Sequence, residues 1–323
     1  MEKKHINWEN MGMYSSIPME YRFVDEAEVL PGKEAWGKKC FSSMDWYFKI
    51  HFPGNPVVPG VFLMEVLQQT GMLIITTMPD ISDKLLLFHS CESMRMYCSV
   101  RPGDVVSAHC TLESYVHGVA KMSGEMVMCN SNGGDNKRVC SMKFTLLHTQ
   151  ELMNISSKMG GVILTEDHAD DTIAIDWENM DRYTSDPLAW RCVDKAEVSA
   201  GKYAHGVKAV SSLDWFTPLH FPSYPVMPGG ILMEAIMQTA VFVITTLPDV
   251  KNTLMLFHGC KYMKMERLVR PGDLMNMWVE LKSYRRGVAS FHGEAVVDGI
   301  RVGDMDFILI MPCDLEMMSP KGR

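Results

Sequence analysis

Trp8-Glu9-Asn10-Met11 returns as Trp177-Glu178-Asn179-Met180, 169 positions later. The same offset links His51-Phe52-Pro53 to His220-Phe221-Pro222, Glu65 to Glu234, Phe88-His89 to Phe257-His258, and Arg101-Pro102-Gly103-Asp104 to Arg270-Pro271-Gly272-Asp273. Laid together without a gap, residues 8–125 and 177–294 are identical at 59 of 118 positions. Chance does not produce that. The period far exceeds the ~20–50 residues of solenoid and propeller repeats, so the chain holds a duplicated domain. Register is lost after Glu125 and Glu294 and resumes near Phe144 and Phe307, six residues shorter in the second copy. A polar stretch from Asn130 to Lys137 lies there in one copy and a short Asp298-Gly299 turn in the other. Both are expected to be hairpin loops between strands. The boundaries expected are residues 1–150 for the first domain, 151–173 for a solvated linker with an acidic end, and 174–323 for the second.

One segment of each copy reads as a helix. Pro59-Gly60 and Pro228-Gly229 stand where proline is tolerated, at a helix start. About 18 mostly apolar residues follow in each case, closed by Met78-Pro79 and Leu247-Pro248. Such a helix is apolar nearly all round, so other structure must wrap it. The remainder of each copy carries strand-like runs, Leu85–His89, Val105–Leu112 and Phe144–Leu147 in the first, separated by turn signals such as Arg101-Pro102-Gly103-Asp104. An α+β domain, one buried helix enclosed by an antiparallel sheet, is the economical reading.

Composition removes several classes of function. The chain has 323 residues and a net charge of -8, a balance opposed to the clustered Lys and Arg that a phosphate backbone requires. The longest apolar run, Gly60 to Met78, contains Glu65, Gln68 and Gln69. A charge at bilayer depth is costly, so this run reads as a buried helix and not a membrane span. The nine cysteines form no CxxC pair, which suits idle thiols in a reducing cytoplasm better than disulfides or zinc. The amino-terminal residues lack the apolar stretch of a secretory signal.

The chemistry is concentrated in one block per copy. His51-Phe52-Pro53-Gly54-Asn55-Pro56-Val57-Val58-Pro59-Gly60 is followed by Glu65 and Gln69; its counterpart runs from His220 to Gly229 and is followed by Glu234 and Gln238. Proline and glycine make a stiff loop into the helix, suited to holding a side chain in place. The Glu and Gln are four apart and share a helix face. A carboxylate on an apolar helix is expensive without a partner, and burial should raise its pKa, as suits a proton carrier. A lone buried Glu or His-Pro turn is usually structural; recurrence of the whole block at one spacing favours function. His89 and His258 also recur, each beside Phe in an apolar run, and read as core or tunnel wall.

This block resembles the active-site signature of the hotdog-fold β-hydroxyacyl-(acyl carrier protein) dehydratases of fatty-acid and polyketide synthesis. The likeness spans nearly all of each repeat and includes the Arg-Pro-Gly-Asp turn. Trp46-Tyr47-Phe48 is similar to dehydratase domains of polyunsaturated-fatty-acid and polyketide synthases. The resemblance implies a double hotdog, two tandem domains each with a long central helix wrapped by an antiparallel sheet and paired edge to edge as an internal dimer. A further homo-oligomer could be built from such pairs. It also implies composite sites, His51 with Glu234 and His220 with Glu65, that eliminate water from a 3-hydroxyacyl thioester to give a trans-2-enoyl thioester. Histidine would remove the C2 proton and the carboxyl group would serve the departing C3 hydroxyl. Backbone N–H groups near Gly60 and Gly229 would receive the enolate charge, and Gln69 and Gln238 would orient the carboxylates. No metal or organic cofactor is called for, and the expected partner is an acyl carrier protein bearing the chain. Carriers are acidic, so the basic stretch 251–286, with Lys264, Arg267, Arg285 and Arg286, is the expected docking surface. Gly54 is replaced by Ser223 and Val61 by Gly230, and a side chain at 223 is expected to narrow the approach to His220. The rivals are other hotdog thioester activities, namely hydratase, isomerase or thioesterase, and a non-catalytic acyl-binding scaffold.

Overall fold

The computed structural model describes residues 2–81, 85–129, 136–148, 171–250 and 254–311. Most of the expected linker, the Asn130–Asp135 stretch and the last twelve residues lie outside the described residues. Strand β8 (Ile173–Ile175) takes in Ile173, which the sequence reading left to the linker.

The first copy runs β1 (Lys4–Ile6), β2 (Glu26–Leu30), β3 (Glu34–Cys40), α1 (Gly60–Thr76), β4 (Leu86–Met96), β5 (Val105–Val116), β6 (Val119–Met128) and β7 (Lys137–His148). After β8, the second runs β9 (Lys195–Ser199), β10 (Tyr203–Ala209), α2 (Gly229–Thr245), β11 (Leu256–Met265), β12 (Leu274–Arg285), β13 (Val288–Val297) and β14 (Ile300–Ile310). Every helix residue from Val61 to Thr76 is buried, as the all-round apolar sequence requires. The strands outrun the apolar runs that announced them. β4 continues through Glu92 and Arg95, because strand pairing satisfies the backbone whatever the outward side chains are. The Asp298-Gly299 turn joins β13 to β14 with both residues at positive φ, 52° and 75°, the two-residue hairpin geometry expected.

The fourteen strands form one antiparallel sheet in the order β1-β2-β3-β5-β6-β7-β4-β11-β14-β13-β12-β10-β9-β8. Its midpoint is the β4–β11 pairing, where Cys260 opposes Met94 and Met263 opposes Cys91. Each of these pairs is the other's image under the 169-residue offset, so the junction is isologous, as in a two-fold dimer. Gly259 permits it: a Cβ there would stand 2.3 Å from the Met94 carbonyl oxygen. The Cys91 and Cys260 sulfurs meet at 3.7 Å beside this axis.

Each half curls its sheet around its helix. Gly37 on β3 and Gly206 on β10 let the strand backbone approach, since a Cβ would lie 2.2 Å from Thr70 Oγ1 or 2.4 Å from Thr239 Oγ1. At their amino-terminal ends the helices touch, with Val61 against the space left by Gly230. That contact accounts for the Val-to-Gly departure in the second copy. Trp46 packs on Trp215, its own counterpart, at 4.6 Å between ring centroids.

Candidate active site

His51 follows a short 3₁₀ turn, Trp46–Lys49, and its N–H donates to Tyr47 O at 2.8 Å. His220 N–H donates to Phe216 O at the same distance. The stiff loop after each histidine is clamped by the repeated Arg-Pro-Gly-Asp turn. Val58 N–H donates to Val100 O at 2.8 Å, and the Arg101 guanidinium donates to Asn55 Oδ1 at 2.9 Å and Pro56 O at 3.2 Å. In the second copy Met227 N–H donates to Val269 O at 2.8 Å and Arg270 donates to the Tyr224 hydroxyl. The turn and the histidine block belong together because the first holds the second.

The loop also chooses a tautomer. His51 Nδ1 lies 3.0 Å from Val57 O and His220 Nδ1 3.0 Å from Val226 O. A carbonyl only accepts, so Nδ1 carries the hydrogen and, in the neutral ring, Nε2 carries the lone pair. Burial pushes each imidazole down to about 4, against the raising effect of its backbone hydrogen bond. Both rings are therefore neutral bases at pH 7.

The carboxyls come from the opposite copy. His51, Gly60 and Glu234 line one cavity of about 80 Å³, together with Gln238, Met237 and Val241 of α2. His220, Gly229 and Glu65 line a second, of about 30 Å³, with Gln68 and Met72 of α1. Both proposed His/Glu pairs are thus brought together across the two halves. Burial pushes Glu65 up to about 7, with the Gln69 hydrogen bond pulling the other way. Glu234 is also pushed up to about 7, first by burial and then by the charge of Asp186, while Gln238 and Trp190 oppose the rise. Phe62 and Leu63 N–H donate to Pro59 O at 2.9 and 3.3 Å, and Ile231 and Leu232 N–H to Pro228 O at 3.0 and 3.1 Å. The N–H groups ahead of them, on Gly60 and Val61 and on Gly229 and Gly230, precede any intrahelical acceptor, and Gly60 and Gly229 place those helix ends in the cavity walls.

Gln69 and Gln238 tie carboxyl to wall. Gln69 accepts from Phe23 N–H at 2.7 Å and donates to Tyr21 O at 3.1 Å and Glu65 Oε2 at 3.2 Å. Gln238 accepts from Cys192 N–H at 2.7 Å and donates to Trp190 O and Glu234 Oε1, each at 3.0 Å. Each glutamine spends its whole amide on these bonds. Ser223, expected to narrow the approach to His220, is exposed and does not line the second cavity.

Three residues at the sites escaped the sequence reading. Trp190 Nε1 donates to Glu234 Oε1 at 3.2 Å and its ring meets His51 edge-on at 5.5 Å. Its counterpart Tyr21 meets His220 at 5.4 Å. Asp186 lines the first cavity, where its counterpart Ile17 lines the second. Burial pushes Asp186 up to about 6, against a 3.0 Å hydrogen bond from Thr184 and the nearby Arg191 charge. The available signal was the set of positions where the copies disagree in polarity. His258 lines the first cavity, in keeping with a tunnel wall.

The four basic residues do not form one patch. Arg285 and Arg286 sit at the β12–β13 turn, where Arg285 opposes Val288 and Val288 opposes Ile310. Lys264 opposes Asp304, far along the same strands, on the order of 20 Å away. There Lys264 pairs with Glu266 at 3.3 Å and Arg267 approaches Asp273 at 3.7 Å. Near that end His292, Glu294 and Asp304 gather ligand-type atoms within 4.8 Å of one another. Arg301 already bridges Glu294 at 3.0 Å and Asp304 at 3.4 Å, so the cluster carries its own cation.

A double hotdog with a buried His/Glu pair in each inter-copy cavity defines a hotdog enzyme class. Against known families, a FabA-like domain model matches residues 21–143 and 192–306. The chain belongs to the FabA-like family, with one domain in each copy. It is similar to the 3-hydroxyacyl-[acyl-carrier-protein] dehydratase FabZ of Chloroflexus aggregans, 41% identical over 108 residues that are 32% of this chain and 75% of that protein. The FabZ of Moorella thermoacetica is 42% identical over 93 residues, 28% of this chain and 65% of the relative. Among solved structures, the dehydratase domain of RzxB from Pseudomonas fluorescens superposes with a TM-score of 0.59 at 11% identity, covering 86% of this chain and 94% of that one. The dehydratase domain from the CurJ module of the curacin polyketide synthase gives 0.57 at 12%, covering 89% and 95%. These two establish the double-hotdog fold. Among the described residues no helix is long and apolar enough to cross a membrane.

Proposed function

We propose that the chain is a 3-hydroxyacyl-thioester dehydratase of fatty-acid or polyketide biosynthesis, working in the cytoplasm on chains borne by an acyl carrier protein. The observation that carries this is the pairing, in one cavity, of a neutral imidazole whose Nδ1 is tied to a carbonyl with a carboxyl that burial pushes up to about 7, so that a large share of it is protonated at neutral pH. In the first site His51 Nε2 takes the C2 proton, and the electron pair moves toward the thioester oxygen. The N–H groups at the start of α1 receive that charge. As the C2–C3 double bond forms, the C3–O bond breaks and Glu234 gives its proton to the departing hydroxyl, which leaves as water. The proton on His51 then passes through solvent to restore Glu234. His220, Glu65 and the start of α2 do the same in the second site. Carrier docking falls in this reading to Arg285 and Arg286 at the β12–β13 turn, with Lys264 and Arg267 on the order of 20 Å along the same strands, a span that one protein–protein interface covers. Relatives named for carrier-bound substrates support the partner.

The test is interconversion of crotonyl and 3-hydroxybutyryl thioesters, followed at the enoyl absorbance. Wild type turns over, His51→Ala and His220→Ala each retain one site, and the double variant loses activity by ~10²-fold or more. An active double variant would remove the histidines from the mechanism.

A further inference from the structure

Among the described residues that line the second cavity, Gln68 is the one whose polar side chain the chemistry above does not use. It lies on α1 three residues beyond Glu65, on the same helix face, and is only 5% exposed. Its Nε2 is buried without a hydrogen-bond partner, whereas its neighbour Gln69 is fully engaged. Around it the cavity wall is Met72, Leu86, Leu87, Phe88 and Leu146, whose side chains accept no strong hydrogen bond. The counterpart of Gln68 is Met237, which lines the first cavity. A buried amide left unpaired is costly, and its cost is relieved only when something polar arrives.

We propose that the two sites take different acyl chains, and that Gln68 makes the His220–Glu65 site selective for a chain carrying an oxygen function part way along its length. This rests on the dehydratase reading of that site. With C2 and C3 between His220 and Glu65, the chain continues past the next turn of α1. Three residues of helix advance ~4.5 Å, roughly the span from C3 to C7 of an extended chain. A keto or hydroxyl oxygen at C7 accepts from the Gln68 amide. Growth by two-carbon units places oxygens on odd-numbered carbons, so C7 is where an unreduced earlier extension would leave one. Met237 puts an apolar side chain at the corresponding place in the His51–Glu234 site, which therefore lacks this amide donor.

The experiment compares kcat/KM for hydration of trans-2-octenoyl thioester and its 7-oxo derivative, both as small-molecule thioesters. In His51→Ala, which retains the second site, the ratio favours the 7-oxo chain by about tenfold over the ratio in His220→Ala. Adding Gln68→Met to His51→Ala abolishes the preference, and adding Met237→Gln to His220→Ala creates it. The second variant changes the other cavity, so it decides the matter even where Gln68→Met does not fold. Equal ratios in the two backgrounds, or a Met237→Gln site with no new preference, would mean that Gln68 merely holds water and would overturn the proposal. Loss of all turnover in His51→Ala with an active wild type would also overturn it, while leaving the dehydratase reading intact. A wild type inactive on both thioesters, and on carrier-bound chains, would remove that reading and this one with it.

Discussion

Trp190 donates its indole N–H to Glu234, at 3.2 Å, from a strand-flanking turn of the same copy, while its ring leans on His51 of the other. One side chain therefore touches both halves of a composite site. Tyr21 occupies the corresponding place in the second site, and the Glu65 charge adds to burial in raising its pKa. Trp190 and Asp186 pull Glu234 in opposite directions. With His220→Ala as background, Trp190→Phe should move the alkaline limb of kcat/KM to higher pH and Asp186→Asn should move it lower. Limbs that stay together in both variants would show that neither group senses the proton on Glu234.

The pH profile of the whole enzyme follows from the same two pairs. A working site needs a neutral imidazole, so activity falls as pH drops through about 4. It also needs a protonated carboxyl, so activity falls as pH rises through about 7. A bell-shaped kcat/KM profile with a plateau on the acid side of neutrality is expected. Activity still climbing at pH 9 would contradict the role of the carboxyls as acids.

Folding stability carries the carboxyls' signature. Glu65 and Glu234 have folded pKa values raised from 4.5 to about 7. Their contribution is intact below pH 4.5 and is lost as pH rises through 7. At one pKa unit per 1.36 kcal/mol, each loses up to about 3 kcal/mol by pH 8.5. Glu65→Gln should thus stabilise the protein at pH 8.5 and leave it nearly unchanged at pH 4.5. Urea denaturation at the two pH values measures the difference.

Gly37→Ala should destabilise the first half by about 1–3 kcal/mol. The new methyl would collide with the Thr70 hydroxyl, which is held by its bond to Val66 O at 2.7 Å and cannot simply turn away. A companion Thr70→Gly opens that space, so a thermal-melting comparison of single and double variants should show partial rescue. Strict additivity of the two losses would show that the contact is not the cause.

Much of this protein is legible in the sequence, because duplication wrote the His, Glu and Gln of each site twice. The helix starts at Pro59-Gly60 and Pro228-Gly229 are local chemistry, with φ preset by proline, and they stand within a residue of where they were expected. The strands were legible in place but not in extent, since pairing with a neighbour carries β4 past its polar residues. Asp186 was not seen as part of a site, because nothing local in Ser185-Asp186-Pro187 says which cavity it borders.

The amino-acid sequence by itself determined that two like domains exist, that each buries one helix, and that each holds a His, a Glu and a Gln at set spacing. Those follow from periodicity, turn chemistry and repetition, all short-range properties of the chain. Only the tertiary structure decided which of the differences between the copies fall at the sites: Asp186 against Ile17 and Met237 against Gln68 in the cavity walls, Trp190 against Tyr21 beside the histidines. Cavity walls are assembled from β4, β11 and the two helices, elements far apart along the chain. Burial, which sets the protonation of His51 and Glu234, exists only once those elements have closed over them.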